Sequence, residues 1–247
     1  MRYSERMGYL LEQFDVDDVR PLVDELRDLG PESTLADDAQ LVAEHLYRSL
    51  VDEEGRPACA LVRLYKSERF DALEPDVQEF VRRALGEEPA GDIRCLALLG
   101  TAGDEPAWNN RVLSAGHRAI PLPSEQFVAR LPMVAQLITQ LGLDLGVVVA
   151  APSGSKAAEL SQRTNDVFHV EQAAGSPYLP AQEEFVLPHK IASAVGFGGI
   201  LLTGDFFSIL LFSHVPVRDT VARTLKILAH PVRVRFLRFT PLVTPRR

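Results

Sequence analysis

A chain of 247 residues with 46% hydrophobic and 24% charged side chains has the balance of a globular protein, with room for one large domain and a helical extension. Its formal net charge of −8 disfavours nucleic acid and anionic membranes as partners, because an acidic protein repels polyanions. The start lacks the apolar core of a signal peptide, and two cysteines are too few for a disulfide scaffold, so we expect a cytoplasmic protein.

The charges are distributed unevenly along the chain. Residues 1–54 carry 15 acidic and 5 basic side chains, whereas residues 218–247 carry 8 basic side chains and one acidic residue, Asp219. The basic end could contact nucleic acid or a membrane, or it could lie beside the acidic end within a protomer or across a dimer. We favour the second interpretation, because the protein as a whole is acidic.

The N-terminal part predicts helices followed by a strand. Apolar residues at helical spacing indicate one or two acidic helices within residues 1–29, and a further helix that Ser33 or Thr34 caps. Residues 58–65 are apolar on both faces, which is typical of a strand inside a sheet. Pro75 then opens another helix, since proline is tolerated in the first turn.

The middle of the chain predicts shorter elements. In chain order these are strands over 95–99 and 119–122, a helix over 124–141 that Pro132 bends or splits, a buried strand or hydrophobic segment over 145–151, a helix over 155–164 and a strand over 166–170. Residues 171–190 follow as a loop that is too long and too rich in aromatic and charged groups to be a simple turn.

Residues 191–215 consist of two apolar runs separated by Thr203-Gly204-Asp205, a pattern that predicts a β-hairpin with a tight turn. One face of its first strand lacks bulk, since period two brings together Ala192, Ala194, Gly196 and Gly198. Such a face leaves either a groove for a ligand or room for a closely packed helix. We favour the helix, because the sheet must receive helices on one face.

Asp219 begins an amphipathic helix that closes the pattern. Pro231 would kink this helix, whereas the alternation within 232–236 also fits an edge strand, and the sequence does not decide between the two. Together these elements predict an α+β fold, with a central antiparallel sheet flanked by helices and with additional N-terminal helices.

Several short segments carry a resemblance to a known family. They are Pro106-Ala107-Trp108-Asn109-Asn110-Arg111, Gly116-His117, Ile120-Pro121-Leu122-Pro123-Ser124, Val167-Phe168-His169-Val170, Gly175-Ser176-Pro177-Tyr178, Gly196-Phe197-Gly198-Gly199 and Phe212-Ser213. With the order of the elements, they resemble the GAF fold, in particular the GAF-like (GAF/PAS-type) sensory modules that precede histidine kinases in bacteria. The resemblance covers residues 33–238. It implies an acidic helical segment (1–30), a GAF-like sensory domain (31–240) and a basic tail (241–247).

The resemblance also implies a ligand pocket on one side of the sheet, roofed by the long loops. The residues assigned to ligand binding are Trp108, Asn109, Arg111, His117, Phe168, His169, Tyr178, His189 and Phe197, with Phe185 beside them. Aromatic rings with a few hydrogen-bond donors suit a small organic ligand. Trp108 and Tyr178 equally fit a structural role in which they anchor the loops to the core.

Catalytic and metal motifs are weak in this sequence, and it identifies no cofactor. Ser153-Gly154-Ser155-Lys156 lacks the glycine spacing of a phosphate loop. Cys59 and Cys95 lie in predicted strands, which argues against thiol catalysis or a covalently attached tetrapyrrole. The histidines show no metal-binding spacing, and His169 and His189, which flank one loop, are the best candidates for a shared metal.

We therefore expect a non-enzymatic cytoplasmic sensory or regulatory domain that binds a small ligand or a protein partner and signals through its terminal helices. No kinase, cyclase or DNA-binding output follows the closing helix, so we expect an output protein in trans, and a homodimer formed by the terminal helices. One alternative is a small enzyme that uses the same pocket, in which Arg111, His169 and His189 would converge. The other is a pure dimerisation or interaction module that fills the pocket with its own side chains, with solid packing around Tyr178 and Phe197.

Overall fold

The computed structural model describes residues 8–114, 116–163 and 165–239. These residues form an α+β fold in which a six-stranded antiparallel sheet is flanked by helices, and further helices precede the first strand of that sheet. The predicted fold class is confirmed. The predicted basic tail, 241–247, lies outside the described residues. In the described ranges, no helix is both long enough and apolar enough to cross a membrane.

The strands form a small sheet and a large one. The small sheet is a parallel pair, β1 (Tyr9–Leu10) and β2 (Leu50–Val51). The large sheet contains β3 (Cys59–Arg69), β4 (Arg94–Gly103), β5 (Ala119–Leu122), β6 (Phe168–Val170), β7 (Ser193–Ile200) and β8 (Phe206–Ser213). Its order is β5-β4-β3-β8-β7-β6, with every neighbouring pair antiparallel, so β3 and β8 lie at the centre.

The helices lie where the apolar spacing places most of them. They are α1 (Val16–Asp28), α2 (Leu35–Ser49), α3 (Pro75–Leu85), α4 (Glu125–Val128), α5 (Pro132–Gln140), α6 (Leu145–Ala150), α7 (Gly154–Ser161), α8 (Asp219–Leu225) and α9 (Ala229–Leu237). Thr34 caps α2, since its Oγ1 accepts a hydrogen bond of 3.1 Å from the Asp37 amide. Pro132 splits the predicted 124–141 helix, because it occupies the first position of α5.

Two segments settle questions that the sequence leaves open. The apolar run at 145–151 is the short helix α6 and not a strand, because periodicity cannot assign so short a run and tertiary packing decides. The edge-strand alternative for 232–236 is wrong, since α9 covers these residues. A 3-10 turn (Lys226–Leu228) separates α8 from α9 and lies just before Pro231.

The two largest hydrophobic cores of the described residues lie on opposite faces of the large sheet. On its first face, alternate residues of the central strands, including Val62 and Ile209, pack beneath α1, α2, α8 and α9. On its second face, residues such as Tyr65 and Leu210 pack beneath α4 to α7 and the 171–190 segment. Because both faces are buried, β8 and residues 59–65 of β3 are mostly apolar on both faces, whereas the second half of β3, from Lys66 to Arg69, is polar.

The predicted hairpin is confirmed, with β7 and β8 joined through residues 201–205. Gly204 has a φ of +84°, in the left-handed region that favours glycine. The next residue, Asp205, is buried and lies 2.8 Å from Lys66 Nζ and 2.8 Å from an Arg94 guanidinium nitrogen. These ion pairs fix the turn to β3 and β4.

Arg235 of α9 joins the C-terminal helix to the N-terminal helices. It is 1% exposed and forms an ion pair with the fully buried Asp38 of α2. Its guanidinium also donates to the carbonyl oxygens of Leu26 (2.8 Å), Leu29 (3.0 Å) and Gly30 (3.2 Å) at the end of α1. In the described residues, the acidic and basic parts of the chain therefore lie side by side within one protomer, as we favoured.

We predict that Arg235→Met lowers the free energy of unfolding by about 3–5 kcal/mol, because it leaves the buried Asp38 without a countercharge. The control Arg238→Met removes an exposed arginine of the same region and should change stability by less than about 0.5 kcal/mol. Urea unfolding followed by circular dichroism measures both. The double variant Asp38→Leu/Arg235→Met should recover much of the loss. An Arg235→Met protein as stable as the wild type would contradict this account.

Candidate functional site

A cavity of about 460 Å³, here called the sheet cavity, lies between the second face of the large sheet and its cover. Its floor is built from cross-strand pairs of β3 and β8, namely Leu61 with Phe212, Arg63 with Leu210 and Tyr65 with Ser208. Its roof comes from the beginning of α5, from the turn that contains Trp108 and from residues 179–186. Most of the lining is apolar, and the volume is in the range of small-molecule sites.

Arg63 places a positive charge in this apolar wall. Its side chain is 8% exposed, and it donates hydrogen bonds to Tyr65 Oη (3.1 Å) and Ser114 Oγ (3.0 Å). Both partners are neutral. Within the part of the chain that the structure describes, Arg63 has no acidic partner, and its buried Nε has no hydrogen-bond partner. Among the described residues, the cavity wall therefore contains a positive charge without an acidic partner.

His117 lies in the same wall, in a backbone conformation with a φ of +57°. Its carbonyl oxygen accepts a 3.1 Å hydrogen bond from the Tyr65 hydroxyl, which ties the backbone at His117 to β3. His117 is exposed as a residue, but desolvation of its imidazole at the cavity wall, followed by the positive charge of Arg63, lowers the pKa of His117 below its usual value of 6.5. The imidazole is therefore neutral at neutral pH.

An aromatic cluster closes one side of the sheet cavity. The ring centroids of Trp108 and Phe185 are 5.7 Å apart, and those of Phe185 and Phe212 are 4.9 Å apart. All three rings line the cavity. His189 packs against Trp108 at 4.5 Å and is not part of the lining, so it supports the indole from behind.

Three further residues of the predicted site lie outside the lining. Asn109 holds the turn that presents the indole, because its side chain accepts from the Gly103 amide (3.0 Å) and donates to the Gly103 carbonyl (2.8 Å). Arg111 instead forms a 2.9 Å ion pair with Glu74 before α3. Tyr178 is 38% exposed on the 171–190 segment. The structure gives Asn109 a supporting position and does not bring Arg111 or Tyr178 to the cavity.

The two predicted site residues of β6 have structural partners. Phe168 is fully buried in the second core, behind the cavity wall. His169 Nε2 lies 2.6 Å from the carbonyl oxygen of Val217, and the His169 amide donates to Gln140 Oε1 over 2.9 Å. Neither side chain lines the cavity.

Phe197 lies on the opposite face of the sheet from the cavity, in the core beneath the terminal helices. The reason is the alternation of β7, which directs Gly196 toward the second core when Phe197 points to the first. The predicted helix packing on the small face is confirmed, since a Cβ at Gly196 would lie 2.8 Å from Leu137 Cδ1 of α5. Of the predicted ligand-binding residues, Trp108 and His117 thus line the cavity, with Phe185 beside them.

Sequence reasoning missed the polar floor of the cavity. Arg63, Tyr65 and Ser208 all lie in runs that the apolar pattern assigns to buried strands. A signal was present, because a lone arginine within an apolar strand must either find a partner or serve a function.

Nucleophilic and metal chemistry find little support in this geometry. Burial raises the pKa of Cys59 to about 12 and that of Cys95 to about 12, so both thiols stay protonated at neutral pH. Across residues 8–114, 116–163 and 165–239, no group of three or more His, Cys, Asp or Glu side chains is placed to hold a metal ion. His169 and His189 have separate partners, Val217 and Trp108.

No protein-family model matches the chain, and no curated protein matches it. The sheet cavity and its residues therefore carry the evidence on function.

We predict that His117→Asn weakens the acid sensitivity of folding. The lowered pKa of His117 means that the unfolded chain binds this proton more readily, so stability is fully present above pH 6.5 and falls as the pH decreases below it. Because His117 is exposed, solvent screening keeps the effect well below the limit of about 1.4 kcal/mol per pH unit that a single group can reach. Asparagine removes the titration and tolerates the left-handed backbone.

The measurement is the free energy of unfolding as a function of pH. His230→Gln, a change at a histidine outside the sheet cavity, is the control and should retain the wild-type slope. A His117→Asn protein with an unchanged slope below pH 6.5 would show that His117 titrates alike in both states.

Proposed function

We propose that this protein is a non-enzymatic, cytoplasmic sensory or regulatory domain that binds a small organic ligand in the sheet cavity. The observation that carries the proposal is the combination of about 460 Å³ of space, apolar walls and one buried guanidinium without a countercharge. Apolar walls with few polar groups are what small-ligand sites require.

The architecture is compatible with a GAF-like sensory module, which is the finer assignment that we propose. Helices from both ends of the chain cover one face of the central antiparallel sheet, and the long connections cover the other. The ligand site and the terminal helices then lie on opposite sides of β3 and β8. A ligand that favours one arrangement of the strands would bias the helices behind them, provided that its affinity differs between two conformations.

The contacts of the predicted residues bear on the two alternatives. The enzyme hypothesis requires Arg111, His169 and His189 to converge. In the described residues each has a different partner: Arg111 pairs with Glu74, His169 with Val217 and His189 with Trp108. The interaction-module hypothesis requires a filled pocket, whereas the sheet cavity is open. Both points favour ligand binding.

Signal output through a homodimer is supported by exposed apolar residues on the terminal helices. Val234 and Leu237 of α9 are 43% and 39% exposed and lie three residues apart, and Ile227 of the 3-10 turn before α9 is 45% exposed. Such a stripe suits a helix-to-helix contact. We propose that two copies associate through α9, and that an output protein in trans reads the arrangement of these helices.

Filling the sheet cavity should abolish ligand binding. Met133 lies in the cavity wall at the beginning of α5, and Met133→Trp puts an indole into the space. The assay is thermal unfolding against a panel of small organic acids, amines and neutral compounds. A compound at 100 times its Kd stabilises the wild type by about 2.7 kcal/mol and should leave Met133→Trp unchanged.

Thr139→Trp is the matched control, because Thr139 is exposed on the same helix and outside the cavity. It should respond to ligands like the wild type. If no compound in the panel stabilises the wild type, or if Met133→Trp responds equally, the cavity is not a ligand site.

The dimer is tested by Val234→Glu, which places a charge in the centre of the exposed stripe. We expect the wild type to sediment as a dimer and the variant as a monomer, because an unpaired charge in an apolar contact is unfavourable. The control Leu187→Glu alters an equally exposed apolar residue, 50% exposed, in the layer above the sheet cavity. A monomeric wild type, or dissociation by Leu187→Glu alone, would contradict the proposed interface.

A further inference from the structure

We propose that the ligand of the sheet cavity is a monocarboxylate with an apolar body, whose carboxylate binds Arg63. This inference rests on the proposed function and names the chemical class of its ligand.

Arg63 differs from the other buried cations of the described residues. Lys66, 7% exposed, lies 2.8 Å from Asp205, and Arg235, 1% exposed, is paired with Asp38. Arg63 is equally withdrawn from water, at 8% exposed, yet its partners in the described residues are hydroxyl groups only. Burying a charge without a countercharge is costly. An anion in the cavity would remove that cost.

The chemistry of the guanidinium group favours a carboxylate. Its planar fork of five N–H donors matches the two oxygens of a carboxylate. Two of these donors are used by Tyr65 and Ser114, and Nε has no partner. The Tyr65 hydroxyl donates a hydrogen bond to the His117 carbonyl, so its oxygen is oriented to accept from Arg63. The guanidinium is therefore held in place before any ligand arrives.

The charges in the cavity lining favour a ligand with a single negative charge. Arg63 is the sole permanent cation among the described residues that line the cavity, and the exposed Glu184 lies in the same lining. One positive charge beside a carboxylate suits a monoanion better than a phosphate dianion, which needs several donors and cations. Ser208, fully buried with an unpartnered Oγ, supplies a further hydroxyl near the same floor.

The rest of the cavity suits an apolar body attached to the carboxylate. Leu96, Leu137, Phe185 and Phe212 surround the space around Arg63, and the cavity holds about 460 Å³. An aromatic or branched aliphatic body would bury its surface against these side chains and gain the hydrophobic contribution of that burial. The polar end is thus fixed at the strand floor, with the apolar end beneath the roof.

The experiment compares two probes that differ only at the polar end, 2-naphthoate and 2-naphthamide, by isothermal titration calorimetry with the intact protein. We expect 2-naphthoate to bind the wild type at least about 10-fold more tightly, since hydrogen bonds to charged groups have that strength. Arg63→Gln should lose this preference and retain its affinity for the amide. The control Arg111→Gln changes an arginine outside the cavity and should keep the preference.

A second measurement needs no variant and covers the case in which Arg63→Gln does not fold. The pKa of ¹³C-carboxyl 2-naphthoic acid, followed by NMR, should be lower bound to the wild type than free, because Arg63 favours the charged form. Equal affinity for the two probes, no binding of 2-naphthoate, or an unlowered pKa of the bound acid would overturn the carboxylate inference.

These outcomes separate the inference from the function on which it rests. If the amide, or a neutral or basic compound of the panel, binds the wild type and fails to bind Met133→Trp, the cavity is a ligand site for another class of molecule. If no compound binds, the proposed function fails together with the inference.

Discussion

The pairing of β3 with β8 is the interaction on which the other parts of the structure depend. Residues of both strands alternate between the core beneath the terminal helices and the floor of the sheet cavity. A slip of one residue would exchange the faces and place the charge of Arg63 in the apolar core beneath α2. The register is fixed at one end by the Lys66–Asp205 ion pair and at the other by the hydrogen bond from Ser213 Oγ to the Ala58 carbonyl.

The register also determines how closely the helices approach the sheet. Gly100 of β4 faces α2, and a Cβ at this position would overlap the carbonyl oxygen of Ala39. Gln40 of α2 closes the same contact, because its side chain accepts from the Thr101 amide (3.0 Å) and donates to the Thr101 carbonyl (2.8 Å). The layer of terminal helices is thus in direct contact with backbone that runs beside β3. The helix layer therefore cannot move relative to the sheet without breaking these contacts.

The sequence predicts the elements of this fold better than it predicts the site. Thr34, Pro132 and Gly204 have local signatures of a cap, a helix break and a turn, and local sterics decide the outcome at each. The face to which Phe197 points depends on the register of β7 against β8, which no local pattern contains. Arg63 was overlooked for the converse reason, since a strand buried on both faces hides one polar position among apolar neighbours. The roof depends on contacts far apart in the chain, such as that between Trp108 and Phe185.

Two buried arginines of the described residues, one in each half of the molecule, differ in how their charges are satisfied. Arg235 satisfies its charge internally with Asp38 and holds α1, α2 and α9 together, so that layer is complete without a ligand. Arg63 faces a cavity and has no acidic partner in the described residues, and it is joined to Ser114 directly and to His117 through Tyr65. Because β3 carries both Arg63 and the Val62 and Leu64 side chains of the opposite core, the strand itself is the shortest physical route between the two halves.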